Sequence, residues 1–315
     1  MSYERLLADL RGGDIVILDG ATGTEMQRRG APMDASSWSA PATLGNDKLL
    51  RSIHADYIRA GARVVTANTF AASPLLLGAA GLGHRFGEIV ERAVSSARAA
   101  RDACDDPAQV VVAGSLSHMV PVTPGKAVVD RDRVPALDRI GDSLQQLAQA
   151  LKNSGCELIL LEMMYEPERA RLALQAALAT GLPVWFGLSA RRGASGPLSF
   201  HAFDEWPLSR VVDLIPDHGV DVAGVMHTGP EIVAASIEVL RARFKGPLMA
   251  YPDSGYFEMP DWRFVDVIAA QRFEAFCVDW LRAGVQLIGG CCGLGVAHIE
   301  AASRARDQVL AERAA

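Results

Sequence analysis

Short runs of apolar, largely β-branched residues alternate along this chain with longer stretches whose apolar positions recur every three or four residues. Runs of the first kind are too short for helices and read as buried strands; the second kind has the period of an amphipathic helix. Eight strands are predicted: DIVILDG (14–20), ARVVTANT (62–69), QVVVAGS (109–115), ELILLEM (157–163), PVWFGLS (183–189), VDVAGVMH (220–227), GPLMAYPD (246–253) and GVQLIGGC (284–291). Helices are predicted near 45–60, 84–104, 135–154, 167–180, 207–217, 230–243, 263–282 and 296–312, one after each strand. In 135–154, for example, Leu137, Ile140, Leu144, Leu147 and Leu151 would face a sheet while Asp138, Gln145, Gln149 and Lys152 face water, and Gly155 ends the helix.

Eight βα units without a Gly/Ser-rich linker predict an α/β protein, a closed (β/α)8 TIM barrel with residues 1–315 as one domain, in preference to a doubly wound sheet. No repeat beyond the βα alternation is visible. In such barrels the chemistry sits at the C-terminal ends of the strands. Those ends carry Asp19 and Thr22, Asn68 and Thr69, Ser115 and Ser117, Glu162, Ser189, His227, Asp253, and Cys291 with Cys292.

Composition narrows the setting. Half of the residues are apolar and 22% are charged, enough for a large core and no sign of disorder. A net charge of -6 and no basic cluster with interleaved aromatics argue against a nucleic-acid partner. The N-terminal stretch has charges where a signal peptide needs apolar residues, and no uncharged run reaches the ~18 residues of a membrane span, so no membrane partner and a cytoplasmic location are expected. The five cysteines, Cys104, Cys156, Cys277, Cys291 and Cys292, are odd in number and predict reduced thiols.

The adjacent thiols are the informative feature. In a regular strand they would point to opposite faces, but here Gly289, Gly290 and Gly293 surround them in GGCCG. Glycines permit a turn that brings both thiolates to one point, a pairing that suits zinc. The same pair can instead be two small residues filling a barrel end, or a vicinal disulfide, which a reducing compartment disfavours. A catalytic zinc takes three protein ligands, and His227, which closes the sixth strand in MHTGP, is the best third candidate; its alternative is an ordinary histidine. His54 falls within a helix, His84 and His298 near helix starts, His118 in a loop, and His201 and His218 lack a strand-end position. Cys104, Cys156 and Cys277 read as buried small residues on helices or at their ends.

Four stretches, LDGATGTEMQRRG (18–30), TANTF (66–70), YPDSG (251–255) with Trp262 following, and AGVQLIGGCCG (283–293), resemble the zinc-dependent homocysteine S-methyltransferase family. That family includes the betaine and S-methylmethionine enzymes and the homocysteine domain of cobalamin-dependent methionine synthase. The resemblance spans nearly the whole chain and implies the same barrel, with Zn2+ on Cys291, Cys292 and a third residue at 227. There the family has a cysteine in a GVNC-like stretch, whereas this chain reads GVMH, with Met226 before His227. Imidazole in place of thiolate takes the ligand charge from -3 to -2, which favours thiol deprotonation but yields a less electron-rich nucleophile. Where the family commonly has PNSG, this chain has Pro252, Asp253, Ser254 and Gly255, adding a carboxylate expected to bind substrate. Glu162 matches the glutamate that holds the amino group of homocysteine, with Met163 where threonine is frequent. Asp19 is expected to act in catalysis and ligand binding, or to fix the Gly20–Gly23 turn. Thr22 and Asn68 are expected to bind substrate, Asn68 alternatively serving as a strand-end cap.

The resemblance therefore implies methyl transfer from a sulfonium or quaternary ammonium donor to a zinc-activated thiol, most simply homocysteine giving methionine, as in methionine biosynthesis. S-methylmethionine is the expected donor, since little chain follows the last helix and a long dimerisation extension is absent; S-adenosylmethionine is a further candidate. The lack of further domains argues against a cobalamin-dependent synthase within the chain, though a separate corrinoid protein can act in trans. Two other readings stay open: a zinc hydrolase or lyase that activates water, and a non-catalytic ligand-binding relative. The expected partners are a small-molecule thiol and a methyl donor, and the sequence is compatible with a homo-oligomer. Residues 118–134, with Pro121, Pro124 and Gly125, raise the question of a lid.

Overall fold

The computed structural model describes residues 2–123, 128–129, 131–200, 205–259 and 262–315. Its eight central strands are β1 (Val16–Ile17), β2 (Val64–Ala67), β3 (Val111–Ser117), β4 (Leu158–Met164), β5 (Val184–Leu188), β6 (Val222–Met226), β7 (Leu248–Tyr251) and β8 (Leu287–Ile288). They lie in the order β1-β8-β7-β6-β5-β4-β3-β2, all pairs parallel. A parallel bridge from Leu18 to Val64 joins the two edges and closes the ring. Each of the eight predicted strands is present; six are trimmed at both ends, while β3 and β4 start later than predicted and run on to Ser117 and Met164.

The strands are apolar up to their C-terminal ends because both faces are buried. Alternate residues point into the barrel, where Val16, Leu18, Val64, Val111, Ala113, Leu158, Leu160, Trp185, Val222, Met249 and Leu287 form one cluster. Their neighbours Ile17, Val65, Val112, Ile159, Phe186, Val225 and Ile288 belong to the outer layer packed under the helices. The inward series β4 158, 160, 162 ends on Glu162, and the corresponding series in β2 and β3 end on polar residues. A core of this alternation fills the barrel and leaves its C-terminal mouth polar.

Two inward glycines leave room for large neighbours. A Cβ at Gly187 would stand 2.3 Å from Met226 Sδ, and one at Gly289 would stand 2.1 Å from the Tyr251 ring. Gly289→Ala is therefore expected to cost about 1–3 kcal/mol by overpacking, read as a lower urea midpoint at unchanged slope. An unchanged midpoint would show that the Tyr251 ring yields freely.

The opposite mouth is covered by a helix that the strand–helix alternation does not reveal, α1 (Ser2–Arg11). Its Tyr3, Leu6 and Leu10 join the interior cluster. The Tyr3 hydroxyl donates to Asp221 Oδ2 at 2.6 Å and accepts from Trp185 Nε1 at 3.0 Å, so the buried indole N–H is satisfied.

Helices Asp47–Arg59, Phe86–Asp102, Leu137–Ser154, Pro167–Leu178, Pro230–Arg243 and Val296–Ala314 fall where predicted. The predicted helix 207–217 contracts to Ser209–Val212, hemmed in by Pro207 and Pro216, which oppose continuation on either side. The predicted helix 263–282 begins only at Ala270; Arg263–Val265 instead pairs antiparallel with Tyr256–Glu258. Two more hairpins, Val122–Thr123 with Val128–Val129 and Ala190–Gly193 with Gly196–Ser199, follow β3 and β5. The first occupies the segment considered as a lid, of which Pro124 and Gly125 lie outside the described residues. No helix among the described residues is long and apolar enough to cross a membrane.

Candidate active site

His227 is the first residue beyond β6, with φ +44°, and its N–H donates to Tyr251 O at 3.1 Å. Cys291 and Cys292 lie in the loop after β8. Cys291 N–H donates to Pro252 O at 2.6 Å, Cys292 O accepts from Ser254 N–H at 3.0 Å, and Gly293 turns the chain with φ +83°. Only Gly293 of the three surrounding glycines adopts the left-handed region; Gly289 serves instead as space for Tyr251. The two loops are thus laced together and present three donors at one place. Cys291 Sγ lies 3.9 Å from Cys292 Sγ and 3.9 Å from His227 Nδ1, and the three ligand atoms lie within 4.8 Å of one another.

A tetrahedral zinc with Zn–S bonds of about 2.3 Å separates two sulfurs by roughly 3.8 Å, so these spacings fit the ion. The electrostatics point the same way. Its hydrogen bond with Cys292, together with burial, holds the Cys291 thiol well above its ordinary pKa, so two thiolates this close call for a cation. Burial alone would lower the pKa of His227, but Asp253 and Cys291 outweigh it and raise it to about 9.

The donors open onto a cavity of about 290 Å³ at the C-terminal mouth. Thr22, Asn68, Glu162, Met163, Met226, His227, Cys291 and Cys292 line it. Much of the remaining wall is aromatic: Trp38, Phe70, Phe200, Tyr251, Phe257, Trp262 and Phe264. Trp38 meets Trp262 at 6.1 Å between ring centroids and Phe70 edge-on at 6.3 Å, and Phe257 meets Trp262 at 4.9 Å. Apart from Phe70, Tyr251 and Trp262, which stand in or near the TANTF and YPDSG stretches, these aromatics escaped the strand-end reading because they sit on inserted loops and hairpins; the one available signal was bulky aromatics within turn-rich segments. Backbone strain gathers here as well. Of the five non-glycine residues with positive φ among the described residues, Trp38, Met163, His227 and Trp262 line the cavity, and such conformations persist where surrounding structure enforces them.

Three expected ligand-binding residues are placed differently from one another. Asp19 is fully buried beneath the cavity and does not line it. Its Oδ2 accepts from Thr66 N–H at 2.5 Å, and its Oδ1 accepts from Thr66 Oγ1 at 3.1 Å and Tyr251 Oη at 2.9 Å. Burial raises its pKa to about 7 against these hydrogen bonds. Asn68 lines the cavity, but its amide is engaged: Oδ1 accepts from Ser39 Oγ at 2.8 Å and Nδ2 donates to Ser39 O at 3.0 Å and Thr43 Oγ1 at 3.1 Å. Asp253 does not line the cavity; its Oδ2 stands 3.3 Å from His227 Nδ1.

Glu162 is buried at the cavity wall. Burial lifts its pKa to about 7, with Ser115 nearby opposing the rise, the Asp19 carboxylate adding to it and His227 opposing it. A bulge between Leu161 and Met164 in β4, with φ +60° at Met163, interrupts the strand's alternation at this carboxylate.

The other histidines among the described residues lie away from the three donors. His54 is enclosed in its helix, His298 approaches Ile268 O at 2.8 Å, and His118 Nε2 accepts from the N–H groups of Tyr165 and Glu166, both at 3.1 Å. His201 lies outside the described residues.

Two cysteines and a histidine at the C-terminal mouth of a parallel barrel, beside a buried carboxylate, make a candidate metal site in a barrel enzyme. The family model described as homocysteine S-methyltransferase matches residues 16–306, and the chain belongs to that family. The homocysteine S-methyltransferase of Escherichia coli (strain K12) is 30% identical over 93% of this chain and 96% of its own length. The selenocysteine Se-methyltransferase of Brassica oleracea var. italica is 24% identical over 89% of this chain and 85% of its own. Among solved structures, the metallated form of the Escherichia coli homocysteine methyltransferase MmuM superposes with a TM-score of 0.75 at 27% identity, covering 94% of this chain and 98% of that one.

Proposed function

We propose that residues 1–315 work as one barrel enzyme that moves a methyl group from a sulfonium donor, S-methylmethionine, to the thiol of homocysteine, giving methionine. The observation that carries this reading is the convergence of His227, Cys291 and Cys292 on a cavity that also holds Glu162 and an aromatic wall. Cys291, Cys292 and His227 would hold zinc. Zinc there would supply Lewis acidity that brings a thiol down from its ordinary pKa of roughly 8.5, so that thiolate would be populated at neutral pH.

The chain's own residues supply the rest. Glu162 as carboxylate receives the ammonium of the acceptor. Asp19 acts as a positioning residue, tying β2 to Tyr251 under the floor of the cavity. The rings of Trp38, Phe257 and Trp262 line the cavity and would favour a cationic donor and exclude water from it. In the transfer, the acceptor sulfur's electron pair forms the new S–CH3 bond while the donor's S–CH3 bond breaks, and its electron pair stays on the departing, now neutral, thioether sulfur. The thiol proton has already been lost to water. The cavity contributes alignment of sulfur, methyl and leaving group.

The test is incubation of zinc-loaded protein with S-methylmethionine and homocysteine, with products resolved by mass. Two methionines per turnover, one from each substrate, are expected, with none when the thiol is omitted. Donor breakdown without any thiol would replace this reading with a hydrolase or lyase.

A further inference from the structure

The two places where this chain departs from the pattern it resembles, residues 227 and 253, meet in space. Asp253 Oδ2 lies 3.3 Å from His227 Nδ1, the same nitrogen that faces Cys291 Sγ at 3.9 Å. Asp253 stands outside the triangle of three donors and outside the cavity lining, so it is placed neither as a metal ligand nor as a contact for substrate. Its side chain is 21% exposed, only partly screened by solvent. Its own N–H donates to Thr228 O at 3.3 Å, which holds the loop after β7 against the one after β6.

We propose that Asp253 is the charge partner of the metal centre: facing the same Nδ1 that looks toward Cys291, it supplies the negative charge that a neutral imidazole does not bring. This rests on the reading of His227, Cys291 and Cys292 as a zinc site. Two thiolates and a neutral imidazole carry two negative charges; the Asp253 carboxylate makes three within the immediate surroundings of the ion. Because that nitrogen would take the ion, Asp253 acts through its charge and not by holding a ring N–H; loss of such an outer partner typically weakens metal binding about 10–100-fold.

The experiment measures zinc affinity by competition with a chromophoric chelator, without reference to turnover, for four chains: wild type, Asp253→Asn, His227→Cys and the double variant. Far-UV circular dichroism and the thermal midpoint check that each is folded. Wild type is expected to bind one zinc, and Asp253→Asn to bind it about 10–100-fold more weakly. In the double variant a third thiolate replaces the missing carboxylate charge, so its affinity is expected to return to within about threefold of wild type, the Asp253 charge no longer being required. Asp253→Glu, which keeps the charge, should recover part of the loss. An Asp253→Asn chain that binds zinc as tightly as wild type overturns the proposal, as does a double variant as weak as Asp253→Asn. If wild type takes up no zinc, it is the metal reading itself that falls, a result distinct from wild-type binding that is indifferent to residue 253.

Discussion

Cys291→Ala and Cys292→Ala are each expected to lower methyl transfer by at least about 10³-fold, with the barrel still folded. The size follows from dividing the effect in two. At pH 7.5 an ordinary thiol with a pKa of roughly 8.5 is about one-tenth thiolate, so loss of thiol acidification alone costs about tenfold. The larger share is positional: a sulfur no longer held in line with the methyl group forfeits an intramolecular advantage that can reach several kcal/mol. Raising the assay to pH 9.5 should therefore recover no more than about tenfold. Both side chains are only partly buried and sit in a loop after β8, not in the barrel interior, so the fold should tolerate their removal. Zinc content, turnover and the thermal midpoint measured together check this; turnover retained in either variant would remove the metal from the account.

Glu162→Gln is expected to lower kcat/KM for homocysteine by about 10²–10³-fold at pH 8, chiefly through KM, since an ammonium group loses a buried charged partner worth about 2.7–4 kcal/mol. The pH dependence makes the test specific. Burial raises the pKa of Glu162 to about 7. Because the raised pKa belongs to an acid, the carboxylate is present above that pH and is neutralised as the pH falls through it. kcat/KM reports the free enzyme, so the wild-type value should fall by up to about tenfold per unit below pH 7, over and above any slope shared with the variant. The gap between the two profiles should narrow by about thirtyfold by pH 5.5, where only about 3% of the Glu162 carboxylate stays ionised. Parallel profiles across pH 5.5–8.5 would show that Glu162 does not receive the acceptor's ammonium.

The barrel was legible because its strands are buried on both faces and its helices on one, so the two periods separate cleanly along the chain. What hid from that pattern was structure without a period. Helix α1 is short and rich in charge, and Tyr3, Leu6 and Leu10 make only one turn-to-turn stripe. The pairing of Tyr256–Glu258 with Arg263–Val265 replaced the start of a predicted helix, and Asp266 with φ +56° stands in a conformation that a helix does not allow. Among the candidate site residues, chain position was readable but direction was not. Asp19, Asn68 and Asp253 stand at strand ends as predicted, yet Asp19 points beneath the floor, Asn68 is consumed by Ser39 and Thr43, and Asp253 faces His227. Such outcomes depend on how separate loops pack, which no local pattern encodes. The thiol pair was readable because few other arrangements place two cysteines among glycines at a strand end.

The central claim, that His227, Cys291 and Cys292 hold the zinc on which thiol methylation depends, is tested most directly by titrating zinc into chelator-treated protein while following methionine formation from S-methylmethionine and homocysteine. The account predicts no product without zinc and a rate that rises linearly to a plateau at one equivalent per chain. Full turnover by the metal-free protein, or a rate indifferent to added zinc, would contradict it.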